Sequence, residues 1–410
     1  MRVAVVASHP VQYQAPWLRG LAAQLDLHVF FCHRQDAAGQ ASAGYATPFE
    51  WDVPLLDGYA STWLENVSAL PGVGSFGGCN TPGVADELAR GRFDACIVLG
   101  WYLRSYLQAI RAARRLSLPV LLRGDSTLET ERSLARRAVK YLPYRWLLGS
   151  VAGHLVVGQR NRAYLRHYGV QPERMFDVPH AVDDQWFAAR ARDERQGGAR
   201  LRERAALGIP ADAQVALFAG RLVDSKRPLD LIRALAHPAL PDDVWGLFVG
   251  SGPLESEARA MASSLKVRAV FAGFRNQRAL PACYVAADWL VLPSDGRETW
   301  GLVANEALAC GLPVVVSQSA GCAADLAVGL AGRPFPTGDI EALVEAMAAT
   351  RDDVLNRADQ VRASVDQRSR TFSCERAVQG TVEAVGAVTP RLKRTGVPAD
   401  DLIRSNVKVP

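Results

Sequence analysis

The sequence lacks several features that would place it in other classes of protein. None of its seven cysteines forms a Cys-x-x-Cys pair, so a zinc site and a disulfide framework are both disfavoured and a reducing cytoplasm is the natural location. No apolar run approaches the roughly 20 residues that a membrane-spanning helix needs. No Gly-x-Gly-x-x-Gly follows the first apolar run and no Gly-x-Ser-x-Gly occurs, which argues against a nicotinamide dehydrogenase and against a hydrolase with a nucleophile elbow.

Acidic residues are scarce in one part of the chain. The net charge is only +5, but between Trp101 and Val170 there are thirteen basic residues and three acidic ones. This excess predicts either a solvated helical face or a surface for anionic lipid headgroups or a phosphorylated ligand, with peripheral membrane contact through residues 104–166. Nucleic acid is a third alternative, but no recognised binding motif supports it and we expect no nucleic-acid partner.

The order of apolar runs predicts two α/β domains. A chain of 410 residues is too long for one ordinary core, and strand-like runs alternate with amphipathic helical stretches over most of it. This order favours two doubly wound domains that face each other across a cleft, with ligands at the carboxyl ends of the strands. The predicted divisions are an N-terminal domain over 1–187, a linker over 188–213, a C-terminal domain over 214–371, a closing helix over 372–388 and a tail over 389–410.

Two glutamates mark the most informative segment, which runs from Pro293 to Ser317. A buried strand is predicted to end at Leu292 and a helix to begin near Trp300. Glu298 and Glu306 are eight residues apart, which places them within about 80° of one helix face. Amides at the helix N-terminus bind anions, and carboxylates beside them accept hydrogen bonds from hydroxyl groups. This combination suits a sugar nucleotide.

Two upstream turns carry compatible chemistry. Arg221 and Lys226 follow the predicted strand Val215–Ala219, where two cations beside a helix N-terminus would neutralise a diphosphate. The next predicted strand ends in Val249-Gly-Ser-Gly, and Gly250 and Gly252 permit close backbone approach.

Together these motifs resemble glycosyltransferase family 4, whose members are retaining enzymes with the GT-B fold. The resemblance is close over about 215–339 and continues in the Phe372–Glu375 segment, which is similar to the start of the family's closing helix. It implies that Arg221 and Lys226 bind the donor diphosphate, that Glu298 meets the sugar hydroxyls, and that Glu306 meets the ribose. The residues implied to act in catalysis are Arg221, Lys226 and Glu298, and those implied to bind the donor are Gly220, Gly250, Gly252, Phe274, Arg275, Thr299, Trp300, Gly301, Leu302 and Glu306.

The N-terminal half departs from the family pattern. Family members often carry a Gly-Gly pair after the first strand and a His at the end of a mid-domain strand, whereas this chain has Ser8-His-Pro-Val-Gln and Leu122-Arg-Gly-Asp at these places. A lone His is often a loop hydrogen-bond partner, and an Asp is often a helix cap. The acceptor-side candidates are His9, Gln12, Arg123 and Asp125.

The expected activity is transfer of a sugar from a nucleotide-diphosphate sugar to an acceptor hydroxyl, as in surface-glycan synthesis. No Asp-x-Asp and no metal-ligand spacing occurs, so we expect no metal and no cofactor besides the donor substrate. The alternatives are a nucleotide-sugar epimerase or phosphorylase on the same fold, and a sugar-nucleotide binder without catalysis. The acceptor stays open between a glycan, a lipid-linked molecule and a small molecule.

Overall fold

The computed structural model describes residues 1–35, 48–129 and 134–389, which contain two parallel β-sheets flanked by helices. The predicted tail lies outside the described residues from residue 390 onwards, as do Glu131 and Arg132 of the basic stretch. The two sheets confirm the prediction of two doubly wound domains.

The first sheet has seven strands in the order β3-β2-β1-β4-β5-β6-β7. Its central strands are apolar on both faces because helices cover both sides, as in other parallel sheets. The strands are β1 Arg2–Ala7, β2 Asp26–Phe31, β3 Ala60–Trp63, β4 Ala95–Val98, β5 Val120–Arg123, β6 Gly153–Val156 and β7 Met175–Asp177. The helices between them are α1 Gln14–Ala22, α2 Val84–Gly91, α3 Arg104–Arg115, α4 Leu134–Gly149 and α5 Gln159–His167.

The second sheet has six strands in the order β10-β9-β8-β11-β12-β13. In both sheets the strand order changes direction beside the first strand, and side chains that follow the strands meet there. The strands are β8 Gln214–Ala219, β9 Val244–Val249, β10 Ala269–Gly273, β11 Trp289–Leu292, β12 Val314–Ser317 and β13 Gly332–Phe335. The helices are α6 Asp184–Gln196, α7 Ala199–Ala206, α8 Pro228–Leu235, α9 Glu255–Ser264, α10 Leu280–Ala286, α11 Leu302–Ala309, α12 Ala323–Leu326, α13 Ile340–Asn356, α14 Ala358–Thr371 and α15 Cys374–Val388.

The segment 188–213, predicted as a linker, is instead ordered and packed. It contains most of α6 and all of α7, and Ala191, Ala199 and Ile209 lie in the core of the second sheet's domain. Arg204, which is 1% exposed, donates to the carbonyl oxygens of Ala286, Ala211 and Ala213. The segment looks like a linker in sequence because its anchor is a buried arginine rather than an apolar run.

Helix α15 returns to the first domain, at the place where the sequence predicts a closing helix. Trp17 of α1 donates from its indole Nε1 to Thr381 Oγ1 at 3.1 Å. A side chain at Gly20 would clash with Val378, so the small residue lets α1 and α15 approach closely. The last helix of the chain therefore packs against the helix that follows the first strand.

Candidate active site

The site residues of the second domain lie at the carboxyl ends of β8, β9 and β11. Arg221 follows β8 by two residues, and Lys226 ends the short 3₁₀ helix Asp224–Lys226. Lys226 Nζ forms an ion pair with Glu298 Oε2, and both side chains are largely buried. Ser294 Oγ lies 3.3 Å from the same carboxylate oxygen. The structure therefore brings together the predicted diphosphate-binding lysine and the predicted sugar-binding glutamate.

The glycine turn provides the close backbone approach that the sequence predicts. Gly250 has φ of 139° and Gly252 has φ of 158°, where residues with a side chain are strained. A Cβ at Gly250 would clash with the carbonyl oxygen of Gly220, and one at Gly252 would clash with that of Leu222. The loops after β8 and β9 are thus in backbone contact, and they form one continuous main-chain surface.

Helix α11 begins where the loop after β11 ends. Gly301, its N-cap, has φ of 108°, and Leu302 is the first helical residue. The indole of Trp300 is buried and donates to Asn305 Oδ1 at 2.8 Å, so this side chain fixes the start of the helix and leaves only its backbone for a ligand. The unpaired amides of the first turn make this end of α11 suitable for an anion.

Glu306 is buried in α11 and borders a cavity between the two domains. Tyr284 OH donates to Glu306 Oε2 at 2.7 Å, and Gln277 also hydrogen bonds to this carboxylate. Burial raises the pKa of Glu306 from 4.5 to about 7, while the hydrogen bonds and the charge of Lys226 oppose that rise. The cavity has a volume of about 190 Å³, and Gln12 and Tyr13 line it from the first domain.

Asp125 makes a hydrogen bond between the two domains. Its Oδ2 accepts from Thr299 Oγ1 at 2.7 Å and lies 4.0 Å from Nε2 of His180. His180 packs between Tyr13 and Trp300, and burial lowers the pKa of its imidazole well below 6.5. The structure thus places Asp125 next to the start of α11, in direct contact with a predicted donor-binding residue.

A segment of the first domain, residues 48–54, crosses to the loop after β10. The rings of Phe49 and Phe274 lie 4.6 Å apart, and Asn276 Nδ2 donates to the carbonyl oxygen of Glu50 at 2.7 Å. The amide of Arg278 is 3.2 Å from both carboxylate oxygens of Asp52. Phe274 is therefore covered by a segment of the first domain, whereas Arg275 beside it is exposed.

Two of the acceptor-side candidates, Arg123 and His9, make hydrogen bonds to groups of the first domain itself. Arg123 donates to the carbonyl oxygens of Val178 and Pro179 at 2.9 and 3.2 Å, and its guanidinium lies over the Trp17 ring, so it holds the chain after β7. His9 Nδ1 lies 3.0 Å from Ser8 Oγ, and burial lowers the pKa of its imidazole to about 4. Gln12 lines the cavity between the domains and Asp125 bonds across them, whereas the guanidinium of Arg123 binds carbonyl oxygens after β7.

The residues that surround Glu306 and Trp300 could not be recognised from the sequence motifs. Gln277, Tyr284 and His180 come from other elements, and no motif joins them to the glutamates. Of these three residues, only Tyr284 could have been noticed in the sequence. It is a polar side chain inside the apolar helix α10, and a buried hydroxyl group needs a hydrogen-bond partner. A larger cavity, about 760 Å³, lies at the amino ends of β11 and β12, where Arg195 and Arg200 bind backbone carbonyls, and Gln277, Tyr284, His180 and Glu306 do not line it.

Two negative observations apply to the described part of the chain only. Within residues 1–35, 48–129 and 134–389, no three His, Cys, Asp or Glu side chains are grouped closely enough to hold a metal ion. Over the same ranges no helix has the length and apolar character needed to cross a bilayer.

Comparison with known proteins agrees with this geometry. Residues 199–365 match the family of glycosyl transferases group 1. A D-inositol 3-phosphate glycosyltransferase of Xylanimonas cellulosilytica is 31% identical over 245 residues, which are 58% of this chain and 57% of the relative. One from Catenulispora acidiphila is 36% identical over 225 residues, 52% of this chain and 51% of the relative. The chain thus spans a little over half the length of the curated relatives it matches.

Solved structures show the fold over nearly the whole chain. Anabaena HepE in complex with UDP has a TM-score of 0.68 at 16% identity and covers 94% of this chain and 100% of its own. Sucrose-phosphate synthase of Thermosynechococcus elongatus has a TM-score of 0.67 at 19% identity, with 95% and 99% covered. WaaG, a glycosyltransferase involved in lipopolysaccharide biosynthesis, has a TM-score of 0.59 at 18% identity, with 95% and 100% covered. The chain has the GT-B fold.

Proposed function

We propose that the chain is a retaining glycosyltransferase of family 4 that moves a sugar from a nucleoside-diphosphate sugar to an acceptor hydroxyl. The observation that carries this proposal is the meeting of Lys226, Glu298 and the N-terminus of α11 at one sheet edge, with Glu306 in the adjoining cavity. A cation and helix amides suit a diphosphate, and two carboxylates suit the hydroxyl groups of a sugar and a ribose. The similarity of residues 199–365 to glycosyl transferases group 1 supports it.

The proposed chemistry needs little more than positioning and charge stabilisation. Lys226, Arg221 and the α11 amides stabilise the diphosphate as its bond to the sugar breaks, and Glu298 holds the sugar through its hydroxyl groups. The acceptor hydroxyl attacks from the same face, and the leaving phosphate accepts its proton, so no protein base is required. The Asp125–Thr299 hydrogen bond and the segment 48–54 keep the two domains together around the reacting groups and help to exclude water.

No metal is part of this proposal, because Lys226 and Arg221 supply the positive charge. The acceptor is a glycan, a lipid-linked molecule or a small molecule, and a role in surface-polysaccharide synthesis follows if it is one of the first two. UDP is the first nucleotide to test, since the HepE structure of similar fold is a complex with UDP.

The test is calorimetric titration of the purified chain with UDP, GDP, ADP, dTDP and CMP in the presence of a chelator. Selective binding of one nucleotide, lost in Lys226→Ala, supports the donor site, and binding of none contradicts it. The conjugates of that nucleotide are then incubated with and without acceptor mixtures. Isomerisation of the donor without acceptor would indicate an epimerase, and tight binding without any turnover would indicate a binder.

A further inference from the structure

Helix α4 is apolar on the face that points away from the protein. Its inner face packs Tyr141, Tyr144 and Leu148 against the first domain's core. On the opposite face, Val139 is 76% exposed, Leu142 is 71% exposed and Trp146 is 66% exposed. At 100° per residue these three lie within about 60° of one another, so they form a single stripe. An isolated surface helix of a globular protein normally presents polar residues there.

Positive charge surrounds this stripe. The guanidinium Cζ of Arg114 in α3 lies 5.5 Å from the centroid of the Trp146 ring, and Arg111 and Arg115 are exposed on the same helix. Arg145 is exposed on α4 itself, and Lys140 lies 5.8 Å from the Tyr144 ring. Among the described residues, the ion pairs of the basic stretch involve only Arg160 and Arg162, so this group of arginines is not neutralised by acids.

The combination of apolar and basic side chains on this face favours a lipid surface over a protein as its partner. A protein partner would match exposed apolar side chains with its own apolar surface, but the uncompensated arginines would then be desolvated at a cost. An anionic bilayer satisfies both features, because Trp and Leu enter the headgroup region while arginines remain with the phosphates. Trp in particular is suited to the boundary between lipid and water.

We propose that the outer face of α4, formed by Val139, Leu142 and Trp146 with Arg111, Arg114, Arg115 and Arg145 around it, docks on an anionic lipid surface. This inference stands on the exposure and charge of α4 and α3. One consequence rests on the proposed function: an enzyme held on a bilayer would take an acceptor that is itself anchored in the lipid.

Docking is tested by flotation of the full chain with two kinds of vesicle, one of phosphatidylcholine alone and one of phosphatidylcholine and phosphatidylglycerol in equal parts. We expect flotation with the anionic vesicles only, and its decline as salt is raised because the charges are screened. The double variant Leu142→Ser/Trp146→Ser should lower the partition coefficient about tenfold or more. Arg111→Gln/Arg115→Gln should lower it roughly fivefold for each arginine removed.

Matched controls distinguish vesicle binding by this face from nonspecific binding through any exposed apolar side chain. Leu201→Ser removes an equally large apolar side chain that is 60% exposed on α7 of the second domain, and it should float like the wild type. Nucleotide titration of every variant verifies that it is folded, and it tests the donor site independently of flotation. Absence of wild-type flotation, equal loss in Leu201→Ser, or a wild-type dimer in sedimentation that Leu142→Ser/Trp146→Ser dissociates would each overturn the proposal.

Discussion

Lys226 and Glu298 are 72 residues apart in the sequence, yet their charged groups form an ion pair at the carboxyl edge of the second sheet. The pair joins the turn after β8 to the loop after β11. In the proposed function the two side chains act on neighbouring parts of one donor, Lys226 on the diphosphate and Glu298 on the sugar. The ion pair aligns both before the donor arrives, which lowers the cost of organising the site.

Lys226→Ala is expected to reduce sugar transfer about 100-fold or more, because it removes a cation from the leaving diphosphate. Nucleoside diphosphate binding should weaken at the same time, since a charge-assisted contact to phosphate is lost. Calorimetry with the selected nucleotide and a transfer assay measure both effects. Lys266→Ala is the control, because Lys266 is exposed and lies outside the site. Near-normal transfer by Lys226→Ala would contradict the placement of the diphosphate.

The buried carboxylate of Glu306 should make stability depend on pH. Its pKa is about 7 in the folded protein, against 4.5 for an unperturbed glutamate, so the folded chain holds the proton more tightly than the unfolded chain does. Its stabilising contribution is therefore complete below about pH 4.5 and is lost as the pH rises through about 7. The loss should be on the order of 3 kcal/mol in the free energy of unfolding.

Denaturant unfolding of the wild type and Glu306→Gln between pH 4.5 and 8 checks this expectation. The difference between the two proteins cancels the other titrating groups, and the wild type should lose stability relative to Glu306→Gln as the pH rises. The affinity of the wild type for the nucleotide should increase as the pH rises, because the ionised carboxylate accepts hydrogen bonds from ribose hydroxyls. A difference in unfolding free energy that is constant with pH would show that Glu306 titrates normally.

The segment 48–54 should control how fast the nucleotide leaves. Asp52→Ala removes the acceptor for the Arg278 amide and keeps the contacts of the segment with Asn276 and Phe274. Since one such hydrogen bond contributes about 1 kcal/mol, release should become roughly fivefold faster. Stopped-flow displacement of the bound nucleotide gives the rate. Asp57→Ala, a change at an exposed acid nearby, should release at the wild-type rate. Equal rates in all three proteins would exclude the segment from gating.

Gly250 should not tolerate a side chain. Alanine at this position would adopt a strained φ of 139° and clash with the carbonyl oxygen of Gly220. We expect Gly250→Ala to lose about 1–3 kcal/mol of unfolding free energy and to weaken nucleotide binding, because the loops after β8 and β9 must separate. Gly83→Ala is a suitable control, since φ is −62° there and no atom lies within 4 Å of the added Cβ. Comparable stability of the two variants would contradict the close approach.

Three strands whose sequences carry no continuous apolar run, β3, β7 and β13, all lie at the edges of the sheets. The central strands are continuous apolar runs such as Val-Ala-Val-Val-Ala, which have both faces covered and are visible in the sequence. By contrast, β3 reads Ala-Ser-Thr-Trp, β7 reads Met-Phe-Asp, and β13 reads Gly-Arg-Pro-Phe with a proline that only an edge position accepts. Each of these strands pairs with a neighbour on one side only and is only partly buried, so its sequence carries no continuous apolar run.

The site residues also divide into those that could be predicted from local motifs and those that could not. The positions of Lys226, Glu298 and Glu306 could be predicted because the first two lie in loops that follow strands and the two glutamates have a fixed spacing into α11. Tyr284 reaches Glu306 from a separate helix, and Asp125 reaches Thr299 from the other domain, over a separation of 174 residues. The first pair depends on how two helices pack within the second domain and the second pair on how the two domains are placed, and no local pattern encodes either arrangement.

Arg204 should be among the most important single residues for the stability of the second domain. Its guanidinium is buried and binds three carbonyl oxygens and Asp288, whose carboxylate also accepts from the amide of Val215 at 2.8 Å. Arg204→Ala would leave Asp288 with Arg200 and the Val215 amide, and would remove the donor from three carbonyl oxygens, which together costs about 3 kcal/mol or more. Arg202→Ala, with a guanidinium 58% exposed and paired with Glu194, should cost less than about 1 kcal/mol. Denaturant unfolding of both variants measures the difference, and similar losses would mean that α7 does not anchor this domain.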